Sequence, residues 1–150
     1  MKIVVQRVKN ASVCIDGNIS GKINEGFLVL LGIESTDSKQ DVDYLVHKLV
    51  NLRIFSDEND KMNLSLKDVN GELLIVSQFT LYADCAHGNR PSFVKAAKPD
   101  IAIPLYKYFI AECKKQISVV QTGIFGADMK VSLLNDGPVT IIIDSKALSL

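Results

Sequence analysis

Cys85 and His87, two positions apart, are the nearest thing in this chain to a catalytic pair. In a strand that spacing puts both side chains on one face, where a thiolate and an imidazole can carry out nucleophilic hydrolysis. Catalytic Cys/His pairs are ordinarily assembled from distant positions, however, and a loop of small and polar residues often holds such a pair by chance. Asp136 and Asp144 flank the last β-branched run, but aspartates are common at turns and strand ends, and neither has a visible partner. No nucleophile elbow, phosphate-binding loop, dinucleotide fingerprint or zinc-protease helix is present. Cys14, Cys85 and Cys113 form no CxxC, and with only His47 and His87 beside them there is no metal-site spacing. No cofactor is expected. One oddity remains: NDGPVT, Asn135 to Thr140, sets Gly137-Pro138 immediately before the strand-forming run VTIII. Read locally it is a turn, since proline lacks a ladder donor but tolerates a strand's first position.

The elements that must position any such chemistry follow from periodicity. KIVVQRV, SVCID and the stretch after Asp16-Gly17-Asn18 read as a hairpin system, and FLVLLGI (27–33) as a fully buried strand. From Ser38 the period lengthens: Val42, Leu45, Val46, Leu49 and Leu52 mark an amphipathic helix capped by Thr36 or Ser38. His47 falls between those core positions, as a solvated or satisfied side chain. SDENDKMN is a polar loop, and Asn70-Gly71 turns the chain into the β segment ELLIVSQFTL. A long loop rich in Gly, Pro and small residues follows, carrying Arg90, Lys95 and Lys98 as a modest basic cluster. A second amphipathic helix spans roughly 99–117, with Leu105, Tyr106, Phe109, Ile110, Cys113 and Ile117 on one face; Pro104 requires that it lie in the first turn. SVVQTG, MKVSLLN and VTIIID supply three closing strands.

Blocks of strands interrupted by two helices give an α+β fold, with both helices packed on one side of β layers, in a single domain spanning residues 1–150. At 47% hydrophobic and 23% charged the composition is that of a soluble globular protein, and no apolar run approaches the ~20 residues of a membrane span. The amino-terminal stretch reads as a strand rather than a signal peptide, so a cytoplasmic location is expected. Seventeen basic and seventeen acidic residues cancel, so any RNA partner must be held locally rather than by the global field.

SQFTL (77–81) and NDGPVT (135–140) together resemble the two signature motifs of the D-aminoacyl-tRNA deacylase family, also called D-tyrosyl-tRNA deacylases. MKIVVQRV, GNRPSF and TGIFGADM extend the resemblance along the chain, in the right order. A paralogous group of tRNA deacylases carries PQ in place of Ser77-Gln78 and a different residue after Gly-Pro; this sequence follows the D-specific pattern at both.

The resemblance implies a proofreading hydrolase that cleaves the ester between a D-amino acid and the terminal adenosine of tRNA, and exclusion acting on Cβ would let a glycyl ester be cleaved as well. It implies a homodimer in which Gly137-Pro138, joined by a cis peptide bond, projects into the partner's active site and excludes L-residues. Ser77, Gln78, Phe79 and Thr80 fall in the catalytic motif, with backbone N–H groups at Phe79 and Thr80 available to a developing oxyanion. Phe79 lies beside the adenine site in the family, and Arg7 matches an arginine that braces the Gly-Pro loop. Phe125 and Met129 either line the pocket or merely pack. Neither motif contains a base competent at neutral pH, which favours water activation by the adenosine's own 2′-hydroxyl over a covalent Thr80 nucleophile. A thiol hydrolase using Cys85 and His87, or a dimeric RNA-binding scaffold without activity, are the alternatives.

Overall fold

The computed structural model describes residues 1–147. Its spine is β1 (Lys2–Ile15), a strand of 14 residues. The sequence breaks this stretch at the polar Lys9-Asn10, but the strand runs through them because it is paired along both edges. On one edge its first half is antiparallel to β3 (Gly26–Gly32) and its second half to β2 (Asn18–Ile23). On the other edge lies β8 (Lys130–Asp144), antiparallel along nearly its whole length.

Beyond β3 the sheet becomes parallel: β6 (Glu72–Ser77) pairs with β3, and β7 (Val120–Thr122) with β6. Each parallel step needs a crossover, and each crossover contains a helix. The first contains α1 (Lys39–Asn51) and a small hairpin of β4 (Arg53–Ser56) and β5 (Met62–Ser65); the second contains α2 (Pro99–Lys114). The order is β2-β1-β3-β6-β7 with β8 on β1, and the sheet curls until β2 meets β7, where the Ser20 hydroxyl donates to the Thr122 carbonyl at 3.1 Å. The result is a barrel-like mixed sheet with two helices, in keeping with the expected α+β class.

Both faces of the central strands are buried, which is why FLVLLG and ELLIV read as unbroken apolar runs. Phe27, Val29, Leu31, Leu73 and Ile75 join Ile3 and Val5 beneath the buried faces of both helices; Leu28, Leu74 and Val76 meet Val8, Ala11 and Val13 in a second cluster inside the curl. Strand β1 thus changes face between Val5 and Val8, at the point where its pairing with β8 shifts register. Helix α1 begins at Ser38 with a capping box to Asp41, one of the two expected caps.

Beyond the joining of KIVVQRV and SVCID into β1, four expectations are corrected. MKVSLLN and VTIIID are one interrupted strand, because β1 pairs with both halves. The polar stretch after Arg53 contains the β4–β5 hairpin, with only its tip as loop. SQFTL is not all strand: β6 ends at Ser77 and Phe79–Tyr82 form a 3₁₀ turn. Pro104 sits in the second turn of α2, where the carbonyl it leaves without a donor, that of Asp100, lies on the exposed side of the helix.

Candidate active site

A cavity of about 280 Å³ opens where β6 ends. Val76, Ser77, Gln78 and Phe79 form one wall, and Phe125 to Met129 with Val131 the other. It lies at the carboxyl end of a parallel strand, the place where side chains and backbone donors emerge from a sheet without obstruction. The strand stops there because β3 stops: the Gln78 N–H bonds the Leu31 carbonyl at 2.8 Å, and beyond it the chain tightens so that Leu81 N–H reaches back to Gln78 O. At the start of that turn the N–H groups of Phe79 and Thr80 have no acceptor among the described residues.

Each expected residue can now be placed. Ser77, Gln78 and Phe79 line the cavity, whereas Thr80 stands at its rim, exposed, its hydroxyl accepting a hydrogen bond from the Gln78 amide. That bond aligns the Thr80 oxygen but removes no proton from it, and no base contacts it among the described residues. Phe79 is 56% exposed, too open for a core residue. Phe125 and Met129 both line the cavity and pack. The Phe125 ring lies 5.7 Å from that of Tyr106, and the Met129 sulfur fills the space where a Cβ on Gly123 would stand. Gly126 in the same wall has φ +80°, a left-handed conformation that suits glycine. Cys85 is exposed in the loop after the 3₁₀ turn, and neither it nor His87 lines the cavity.

Gly137 and Pro138 do not line this cavity either. From the pair Val8–Asn135 to the pair Gln6–Thr140, β1 advances two positions and β8 five, so residues 136–139 bulge out of the ladder. The Gly137-Pro138 peptide is cis, and both residues are exposed at the tip. The base of the bulge is held from two sides. Arg7, 9% exposed, donates from Nε to the Asp136 carbonyl at 2.8 Å and from Nη1 to the Ile54 carbonyl of β4 at 2.5 Å. Asn135 closes the other side: its Oδ1 accepts from the Val139 N–H at 2.7 Å, and its Nδ2 donates to the Val139 carbonyl and the Thr140 hydroxyl, both at 3.2 Å. A primary amide has a donor and an acceptor side by side, so Asn135 replaces the ladder partner that β1 does not provide. Lys9, bonded to Glu25 at 3.2 Å, also reaches Asp136 at 3.4 Å.

Sequence reasoning missed Asn135, although it opens the quoted motif; an amide flanking a Gly-Pro insertion in a strand was the available signal. It also passed over Asp128 in TGIFGADM, a carboxylate on the cavity wall paired with Lys130 at 3.0 Å. The group of features is a cleft with two unengaged backbone donors, an exposed aromatic ring and no metal-ligating cluster among the described residues.

Comparison with known proteins gives one consistent answer. The family model described as D-Tyr-tRNA(Tyr) deacylase matches residues 4–144. The D-aminoacyl-tRNA deacylase of Flavobacterium psychrophilum is 60% identical over 147 residues, covering 97% of this chain and 98% of the relative. That of Finegoldia magna is 62% identical over 147 residues, covering 98% and 99%. Among solved structures, one described as c-Myc DNA Unwinding Element Binding Protein superimposes with a TM-score of 0.91 at 42% identity, over 98% of this chain and 100% of that one. Another, described as a probable eukaryotic D-amino acid tRNA deacylase, shares the fold with a TM-score of 0.81 at 16% identity, over 95% and 97%. With the family model covering nearly the whole chain and relatives at 60% identity end to end, the chain belongs to the D-Tyr-tRNA(Tyr) deacylase family.

Proposed function

We propose that this family member is a chiral proofreading hydrolase that cleaves D-aminoacyl-tRNA to free D-amino acid and tRNA, and that it also clears glycyl-tRNA. The cleft at Ser77–Phe79, with the free N–H groups of Phe79 and Thr80 at its edge, is the observation that carries this reading. An aminoacyl ester is activated compared with an amide, so positioned donors and an oriented water meet its need. In the reaction the water oxygen bonds the acyl carbon and the ester C–O bond breaks. The water's proton passes by way of the adenosine 2′-hydroxyl to the departing 3′-oxygen. The two N–H groups stabilise the oxyanion formed in between, a contribution that is large where water is excluded. Ser77 and Gln78 shape that corner, and Gln78 fixes Thr80. This leaves Thr80 an orienting role, in line with its single bond to an amide rather than to a base.

Chiral selection is assigned to Gly137 and Pro138 of a second copy, in a homodimer. Two features of the chain favour this: the bulge is exposed and rigidly based, and it does not reach its own cavity. With the substrate ammonium facing that backbone and the ester facing Thr80, the α-carbon is fixed at two substituents. An L-residue drives its Cβ into the Gly-Pro backbone, and a D-residue points it outward. Phe125 and Met129 then bound the outward side.

Exclusion of this kind acts on Cβ, so glycine, which has none, escapes it. Deacylation of glycyl-, L-alanyl- and D-alanyl-tRNA by one preparation tests the scheme. Rapid release of glycine and D-alanine, with L-alanine retained, is expected. Glycyl-tRNA as resistant as the L-alanyl ester would replace steric exclusion by positive recognition of the D side chain.

A further inference from the structure

Phe79 leaves the cavity on the side of the loop between the 3₁₀ turn and α2, and there it meets another exposed aromatic residue. The Phe93 ring stands 5.1 Å from it, edge to face at 73°. Phe93 is 37% exposed and Val94 beside it 89%. Phe79, Phe93 and Val94 together form a contiguous exposed apolar patch, the kind of surface that marks an interaction site.

The loop is built rather than slack. Asp84 and Ser92 exchange backbone hydrogen bonds of 2.8 and 2.9 Å, Ala96 N–H turns back to the Phe93 carbonyl at 3.0 Å, and Ala97 N–H bonds the Ile33 carbonyl at 2.9 Å. These bonds fix Phe93 next to Phe79. The same segment, residues 83–98, has Arg90, Lys95 and Lys98 against one carboxylate, Asp84, whose Oδ1 is engaged by the Ala86 N–H. None of the three cations forms a salt bridge among the described residues.

From this we infer that residues 83–98 seat the single-stranded 3′ end of the RNA, with Phe93 stacking the base immediately 5′ of the terminal adenosine and Arg90, Lys95 and Lys98 following its phosphates. The inference rests on the reading of the cavity as an aminoacyl-ester site, since that reading puts the terminal nucleotide at Phe79. An aromatic face flanked by unpaired cations is how proteins hold unpaired nucleotides without reading sequence. The core of a protein interface is depleted of lysine, so Lys95 and Lys98 favour RNA over a second protein as the occupant. A neutral molecule needs such a local device, because it has no overall field to gather RNA.

The test compares kcat/KM for D-alanyl-adenosine with that for the D-alanyl ester of a CCA trinucleotide. The wild-type protein should prefer the trinucleotide, and Phe93→Ala should reduce that preference on the order of tenfold, the scale of one lost base stack. Phe93→Trp should preserve it. A preference unchanged in Phe93→Ala overturns the inference, as does conversion of that variant to monomers in sedimentation, which would put Phe93 between protein copies. Replacing Arg90, Lys95 and Lys98 with glutamine should lower the logarithmic salt slope of tRNA binding by about two, from about 0.7 per single-strand phosphate; an unchanged slope removes the cations from the RNA path. If the wild-type protein hydrolyses neither ester, the reading of the cavity fails, an outcome distinct from all of these.

Discussion

Replacing Asn135 with alanine should loosen the Gly-Pro bulge without touching the cavity. The side chain makes three hydrogen bonds: Val139 N–H at 2.7 Å, and the Val139 carbonyl and Thr140 hydroxyl at 3.2 Å. Val139 is only 7% exposed, so its N–H would be left without a ready partner, at a cost of about 1–3 kcal/mol. Thr140 is exposed, so water replaces the bond to its hydroxyl and little is lost there. A net destabilisation of about 2 kcal/mol follows, which for a chain of this size lowers Tm by roughly 4–8 °C. The effect on function should be larger than the effect on stability suggests. Arg7 and Lys9 would then hold the bulge only from its Asp136 end, and a positioning error near 1 Å can cost about 100-fold in rate. Turnover of D-alanyl-tRNA should fall by roughly 10- to 100-fold, and the ratio of D- to L-alanyl hydrolysis should fall with it. Asn135→Asp keeps the acceptor for Val139 N–H but loses the donor, and should fall between the two. A variant Asn135→Ala that melts within a degree of wild type and keeps its D/L ratio would show that the amide does not hold the bulge.

Gly137→Ala should also act through the bulge: φ is +149°, and an added Cβ would stand 2.6 Å from Val139 Cγ2 and 2.8 Å from its nitrogen, so a stability loss of about 1–3 kcal/mol is expected in chemical denaturation. A loss below a few tenths would mean that the loop shifts freely. Thr80→Ala should slow single-turnover deacylation only partially, whereas a 2′-deoxy terminal adenosine should slow it far more. A dead Thr80→Ala protein with a fully active deoxy substrate would restore Thr80 as nucleophile. Stability should fall in acid partly through Asp41. Burial opposes its ionisation, but hydrogen bonds from the Ser145 hydroxyl, Ser38 N–H and Lys146 outweigh burial and hold the carboxyl well below its usual 3.8. A depressed folded-state pKa stabilises fully above the unfolded value and is lost as pH falls, so denaturation midpoints should drop below about pH 4, and less steeply in Asp41→Asn.

What could be read from sequence was what local chemistry determines. Ser38 followed by Asp41 announces a capped helix, and alternate faces of FLVLLG could be buried whichever strands flank it. Punctuation misled where a distant strand overrides it. Gly137-Pro138 ends a strand by any local rule, yet β1 pairs with residues before and after it, and the insertion becomes a bulge. The β4–β5 hairpin was hidden because RIFS and MNLS are four residues each and flank a polar tip, too short for a period to show. At the site, the words SQFTL, TGIFGADM and NDGPVT could be recognised through the family, and the structure brings the first two together at one cavity while keeping the third away from it. The roles of Asn135 and of Phe93 depend on cross-strand and cross-loop geometry, and residue type alone carries little of either.

Between Met129 on the cavity wall and the bulge lies the run Lys130–Asn135, paired to β1 throughout, which at ~3.3 Å per residue is roughly 17 Å of strand. A segment so extended cannot fold back to bring its own tip to its own cavity. In the proposed pairing, each copy therefore lends its selecting loop and borrows the other's. Specific activity would then follow mass action, falling on dilution as pairs separate, and a chain damaged only at its bulge would silence the neighbour's cleft while leaving its own intact. Mixed with a chain damaged only at its cleft, it would regain one working site per pair.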